Sequence, residues 1–120
     1  MKRDMELVRK ILLETEEESN NPLEWVVLNI EGYDPELVSY HVKIMAEAGL
    51  IEAKDLSTLG SFEWHPKSLR WEGHEFLDTV RNETVWAKTK EVVKSKGGSV
   101  GFEVLKEVAI QTLKSILMSP

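Results

Sequence analysis

Histidine, carboxylate and hydroxyl groups are the chemistry available to this 120-residue chain, which has three histidines and no cysteine. His74-Glu75 opens like a zinc-protease helix, whose two histidines stand four residues apart so that both reach the metal. The fourth residue on is Asp78, so that motif is broken. His41, His65 and His74 are scattered and have no thiolate partners, and three such histidines are expected to do separate structural work rather than to hold zinc. His41 falls beside the inward face of its helix, where a local hydrogen bond is expected, with a pH-sensitive or base-contacting role as the alternative. No serine or threonine stands in a nucleophile context. Gly97-Gly98 runs into Ser99-Val100 rather than the Lys-Ser of a phosphate loop. The expectation is a non-enzymatic protein with no catalytic residue, no metal ligand and no cofactor.

Composition sets the frame for these residues. With 42% hydrophobic and 30% charged residues the chain reads as one globular domain, and no run approaches the roughly 18 apolar residues of a membrane span. Met1-Lys2-Arg3-Asp4-Met5-Glu6 leads into a charged amphipathic pattern, so a cytoplasmic location is expected. The formal charge of −6 is uneven: residues 1–82 hold 9 Lys and Arg against 17 Asp and Glu, and residues 83–120 hold 6 against 4. Phosphate binding draws on a basic stripe. None is continuous in sequence, although folding could gather Lys2, Arg3, Lys43, Lys54, Lys67 and Arg70 on one face.

The elements that would position these groups follow from periodicity. Met5, Leu7, Val8, Ile11 and Leu12 predict a helix over 4–17 with Asp4 as N-cap. Residues 23–30 are β-branched and aromatic, and read equally as a strand or a short helix. Gly32-Tyr33-Asp34-Pro35-Glu36 must start a helix, with Asp34 as cap and Pro35 at the first helical position, and Gly49 ends it. Leu50 to Ala53 alternate like a strand, a second strand is expected near 67–71, and Ser57 to Pro66 form the loop between them. A helical pattern runs from Trp71 to Arg81 and on to the stop at Gly97-Gly98, with Asn82 as an open break point. Ser99 is expected to cap a last helix, 100–117.

Within the second helix, Val38, Val42 and Met45 face inward and leave Glu36, Ser39, Tyr40, Lys43 and Glu47 outward, as a recognition helix presents side chains to a groove. With Ala46-Glu47-Ala48-Gly49-Leu50-Ile51-Glu52 and Leu69-Arg70-Trp71-Glu72-Gly73-His74-Glu75-Phe76-Leu77, this resembles the winged-helix pattern of many bacterial regulators. Arg70 departs from it, since threonine commonly precedes the helix after the wing. The Lys2 to Leu7 run, the Tyr40-His41 pair, Trp71 to Asp78, Arg81, Trp86, Lys88 and Phe102-Glu103-Val104 are similar to a family of short uncharacterised proteins of bacteria and their phages. The resemblance implies a winged-helix architecture and a bacterial or prophage setting. It carries no catalytic residues.

The fold expected is therefore mainly α with a small β-hairpin wing (α+β): a single winged helix-turn-helix domain over 1–120, with its core at about 4–81 and a C-terminal helical extension at about 83–118. The leading functional expectation is DNA binding by a transcription-regulator-like protein, with Ser39, Tyr40 and Lys43 offered to the major groove and Lys54, Lys67 and Arg70 to phosphates. The alternative is a protein-binding adaptor, or a phage factor acting on a host protein, using Tyr40 and Trp64. Trp25, Trp71 and Trp86 are core candidates. Trp64, in the hairpin loop, is either an exposed contact or folded back on the sheet. The wide apolar face of the last helix either covers the winged-helix core or forms a dimer seam, and some homodimer contribution is expected.

Overall fold

A computed structural model describes residues 1–119. Packing divides the chain into two units, Met1–His74 and the remainder from Glu75 onward.

In the first unit, the Asp4 carboxylate accepts from the Glu6 and Leu7 amides and starts α1, Met5–Glu18. Asp34 accepts from the Glu36 amide with Pro35 at the first helical position, and α2 follows, Pro35–Glu47. Gly49, at φ +79°, turns the chain out of α2 into β1, Ile51–Asp55, which pairs antiparallel with β2, Trp64–Leu69. Helix α1 packs on α2 and β2, and α2 on both strands. Leu7, Ile11, Leu12, Val42, Met45 and Ile51 form the fully buried centre, with Leu50 also buried beside Ile51. Burying each such side chain contributes roughly 1.5–3 kcal/mol.

Strand β2 begins at Trp64, three residues before the expected position, and it includes Pro66. A register shift between Glu52 and Ala53 leaves Lys67 without a cross-strand partner, and such bulges are where a strand tolerates proline. Pro66 also settles the ambiguous segment. Residues 23–30 form neither strand nor helix. Their exposure alternates in the manner of a strand, with Val26 buried between exposed Trp25 and Val27, and the Val26 amide donates to the Pro66 carbonyl at 2.7 Å. Proline has no amide to return, so no ladder develops. The Asn29 amide donating to the Glu14 carboxylate at 2.6 Å fixes the other end of the segment to α1.

The next helix, α3, spans Trp71–Val80, and its start is held by Gly73. A Cβ on Gly73 would stand 2.1 Å from the Leu50 carbonyl oxygen, which also accepts the Arg70 amide at 2.9 Å. Trp71 precedes Gly73 by two residues, about 200° around the helix, and is consequently 74% exposed rather than part of the core. Trp25 likewise departs from the core expectation at 48% exposed, because the alternation about Val26 turns it outward.

In the second unit, Asn82 ends α3 and accepts from the Thr84 and Val85 amides to start α4, Glu83–Ser95. Gly97 and Gly98, both at positive φ, turn the chain. Helix α5, Phe102–Leu117, starts two residues later than expected, with Gly101 as N-cap in place of Ser99. Helices α4 and α5 pack together. Phe76 meets Phe102 at 4.9 Å between ring centroids, and Trp86 is buried, as expected. Helix α5 buries Leu105 and Ala109 and leaves Val104 and Leu117 exposed.

No helix among the described residues is long and apolar enough to cross a membrane.

Candidate binding groove

A groove of about 450 Å³ opens in the first unit between the irregular segment 28–34, the start of α2 and the far end of the hairpin. Its position follows from three local choices. Pro66 keeps the segment before α2 irregular, Gly32 at φ +84° bends the chain into the α2 cap, and a turn from Thr58 to Ser61 carries Phe62 and Glu63 back to β2. The Leu56 amide donates to the Glu63 carbonyl at 2.8 Å and closes the neck of that loop.

Ser39 joins α2 to the hairpin. Its hydroxyl oxygen accepts the Trp64 amide at 3.1 Å and lies 3.5 Å from the Trp64 carbonyl, to which it donates. Ser39 is therefore buried, not outward as expected. It directly follows buried Val38, and the hairpin closes over that flank of the helix. Trp64 is half-buried as the first residue of β2 and lines the groove together with Tyr33 and Phe62. Asp34, Glu36 and Glu63 bring three carboxylates to the same lining, where His65 is the one titratable base.

The other sequence-derived residues scatter. Tyr40 is half-buried, its ring 5.9 Å from that of His41. Lys43 lies 3.4 Å from Glu47 on α2, and its charge also helps to hold the exposed Asp55 carboxyl below its usual range, after the larger effect of hydrogen bonds from Ser57. Lys54 is exposed opposite His65, and Lys67 is half-buried at the bulge. Arg70 is exposed, yet its Nε donates to the Ile51 carbonyl at 3.3 Å. Lys43 and Lys54 thus share surroundings with Asp55, while Ser39 and Arg70 spend polar atoms on the fold.

Sequence reasoning missed the second partner of His41. His41 is completely buried: its Nδ1 donates to the Leu37 carbonyl at 2.9 Å and its Nε2 accepts the Asp4 amide at 2.8 Å. The first contact is the expected local one. The second fixes the start of α1 to α2, 37 residues away. His74 lies 3.8 Å from Glu16, and among the described residues no three His, Cys, Asp or Glu gather as a metal-binding group.

Tyr33, on the groove wall, feels the charge of Asp4. Burial, and then the negative charges of Asp4 and Glu6, raise its hydroxyl pKa above the ordinary 10.0. Between the ordinary and the raised value, the folded chain keeps a proton that the unfolded chain has lost. Stability from this group is therefore present below pH 10 and falls as pH rises through that window. A 295 nm titration is expected to show one tyrosine ionising late, and Tyr33→Phe to remove it and lessen the alkaline loss of stability. A late phase that survives the substitution would contradict this.

The fold and groove define a class: an α+β chain in which a hairpin-braced helix borders an acidic, aromatic-lined cleft. The chain belongs to the family described as hypothetical protein DUF2513, whose model matches residues 2–99. It is 41% identical over 119 residues to an uncharacterised protein of Haemophilus influenzae, a match that covers 99% of this chain and all of the relative. No solved structure matches the chain.

Proposed function

We propose that the protein is a non-enzymatic winged-helix module of bacterial or prophage setting that binds a protein partner through α2 and the hairpin. A helix followed by a two-stranded hairpin and a further helix supports the recognition-helix-and-wing part of that architecture, although residues 23–30, where the first helix of a helix-turn-helix would stand, are irregular. The single observation that carries the protein-binding reading is the groove: its aromatic lining gives a partner side chain apolar area to bury, and its three carboxylates would repel phosphate. The helix expected to enter DNA adds little against this, with Lys43 beside Glu47 and the Ser39 hydroxyl engaged with Trp64. DNA binding is the second reading, favoured by the exposed cations of Lys54 and Arg70 on the hairpin and its edge.

Affinity capture from a bacterial lysate, followed by reconstitution with the purified captured protein, tests the proposal. Trp64→Ala and Phe62→Ala are expected to weaken the reconstituted complex by roughly tenfold or more, as aromatic anchors do, whereas Tyr40→Ala, outside the groove lining, is expected to do less. Lys43→Ala, Lys67→Ala and Arg70→Ala are expected to change it little. The reverse order of effects would overturn the proposal.

A further inference from the structure

We infer that the occupant of the groove is an extended, arginine-bearing segment of the partner, an inference that rests on the protein-binding reading and gives it a chemistry. Charge is the first argument. Asp34, Glu36 and Glu63 come to one cleft from the α2 cap, the first turn of α2 and the hairpin loop, and no lysine or arginine lines it. The surrounding unit, residues 1–74, holds 8 Lys and Arg against 15 Asp and Glu, so long-range attraction acts in the same direction as the local carboxylates.

Aromatic lining is the second. Tyr33, Phe62 and Trp64 share the cleft with these carboxylates, and because Lys10 of this chain already stands over the Tyr33 ring at 5.4 Å, Phe62 and Trp64 are the faces offered to a partner. A guanidinium group is planar, stacks on aromatic faces and forms paired hydrogen bonds to carboxylates, a combination that an ammonium group meets less well. Size is the third argument. About 450 Å³ is at the lower end of small-ligand pockets and holds one or two side chains, whereas a docked helix needs a long groove.

The Asp34 carboxylate is already engaged by the Glu36 amide as a cap, which leaves Glu36 and Glu63 as the carboxylates to vary without loosening α2. Both are exposed.

The test is a 1H–15N titration of the full chain with the peptide acetyl-Gly-Arg-Gly-Arg-Gly-amide, beside the same peptide with citrulline for arginine. Citrulline keeps the shape of the side chain and removes its charge. The arginine peptide is expected to shift the Trp64 indole and the Glu36 and Glu63 amides, saturating at lower concentration than the citrulline peptide. Glu36→Gln together with Glu63→Gln should weaken it by roughly tenfold, the product of two modest exposed charge pairs. Equal binding of the two peptides, or no shift at the groove with millimolar arginine peptide while the folded spectrum is retained, would overturn the arginine assignment. In either case the protein-binding reading stands or falls separately, on the effect of Trp64→Ala on the reconstituted complex.

Discussion

Replacing Gly73 with alanine is expected to lower stability by about 3 kcal/mol, the upper part of the range for overpacking a well-filled site, and the melting temperature by roughly 10 °C. The new methyl would lie 2.1 Å from the Leu50 carbonyl oxygen. That oxygen is backbone, anchored between the α2 turn and β1, and cannot swing aside as a side chain would. It also accepts the Arg70 amide, so moving it breaks the hydrogen bond that leads β2 into α3. Gly60 is the control, because a methyl there meets nothing within 4 Å and its φ is not in the left-handed region. Gly60→Ala should melt close to the parent. A Gly73→Ala protein melting within about 2 °C of the parent would show that α3 does not need this close approach.

His41→Leu is the second large effect, expected at about 2 kcal/mol. Leucine fills most of the volume but leaves the part-buried Asp4 amide without its side-chain partner, while the Leu37 carbonyl stays within the backbone ladder of α2, and a polar group deprived of its partner costs on the order of 1–3 kcal/mol. The destabilisation should appear locally as faster amide exchange at Asp4 and along the first turn of α1. The same hydrogen bonds fix the ring tautomer. An amide can only donate, so Nε2 is the acceptor and the proton sits on Nδ1, aimed at the Leu37 carbonyl. Long-range 1H–15N correlation should show the Nδ1-protonated form. A proton found on Nε2 would contradict the Asp4 hydrogen bond, and a fully stable His41→Leu chain would show that α1 does not depend on it.

What sequence could reveal here was local, and what it could not was decided across the fold. Asp4, Asp34-Pro35, Gly49 and Gly97-Gly98 act on their own turns, so their roles were legible from residue type and neighbours. Residues 23–30 were not, because their state depends on a proline forty residues away that accepts a hydrogen bond and cannot return one. Ser39 looked outward on a helical wheel, and only the hairpin closing over that flank buries it. Trp71 looked like core by composition, and the close packing of Gly73 turns it to solvent. The candidate groove was the least legible feature. Tyr33, Asp34 and Glu36 are 26 or more residues from Phe62, Glu63 and Trp64 in sequence, and only the return of the hairpin loop brings their charges and rings to one cleft. Trp64 alone carried a signal, as an aromatic between charged residues in a loop.

The central claim, that the surface of α2 and the hairpin serves a protein partner and not nucleic acid, is tested most directly by electrophoretic retardation at low salt with random duplex and genomic fragments, using protein shown to be folded. The account predicts no retardation at micromolar protein. Retardation that weakens in Lys43→Ala, Lys67→Ala and Arg70→Ala, with the salt slope falling by about 0.9 for each phosphate no longer neutralised, would contradict it.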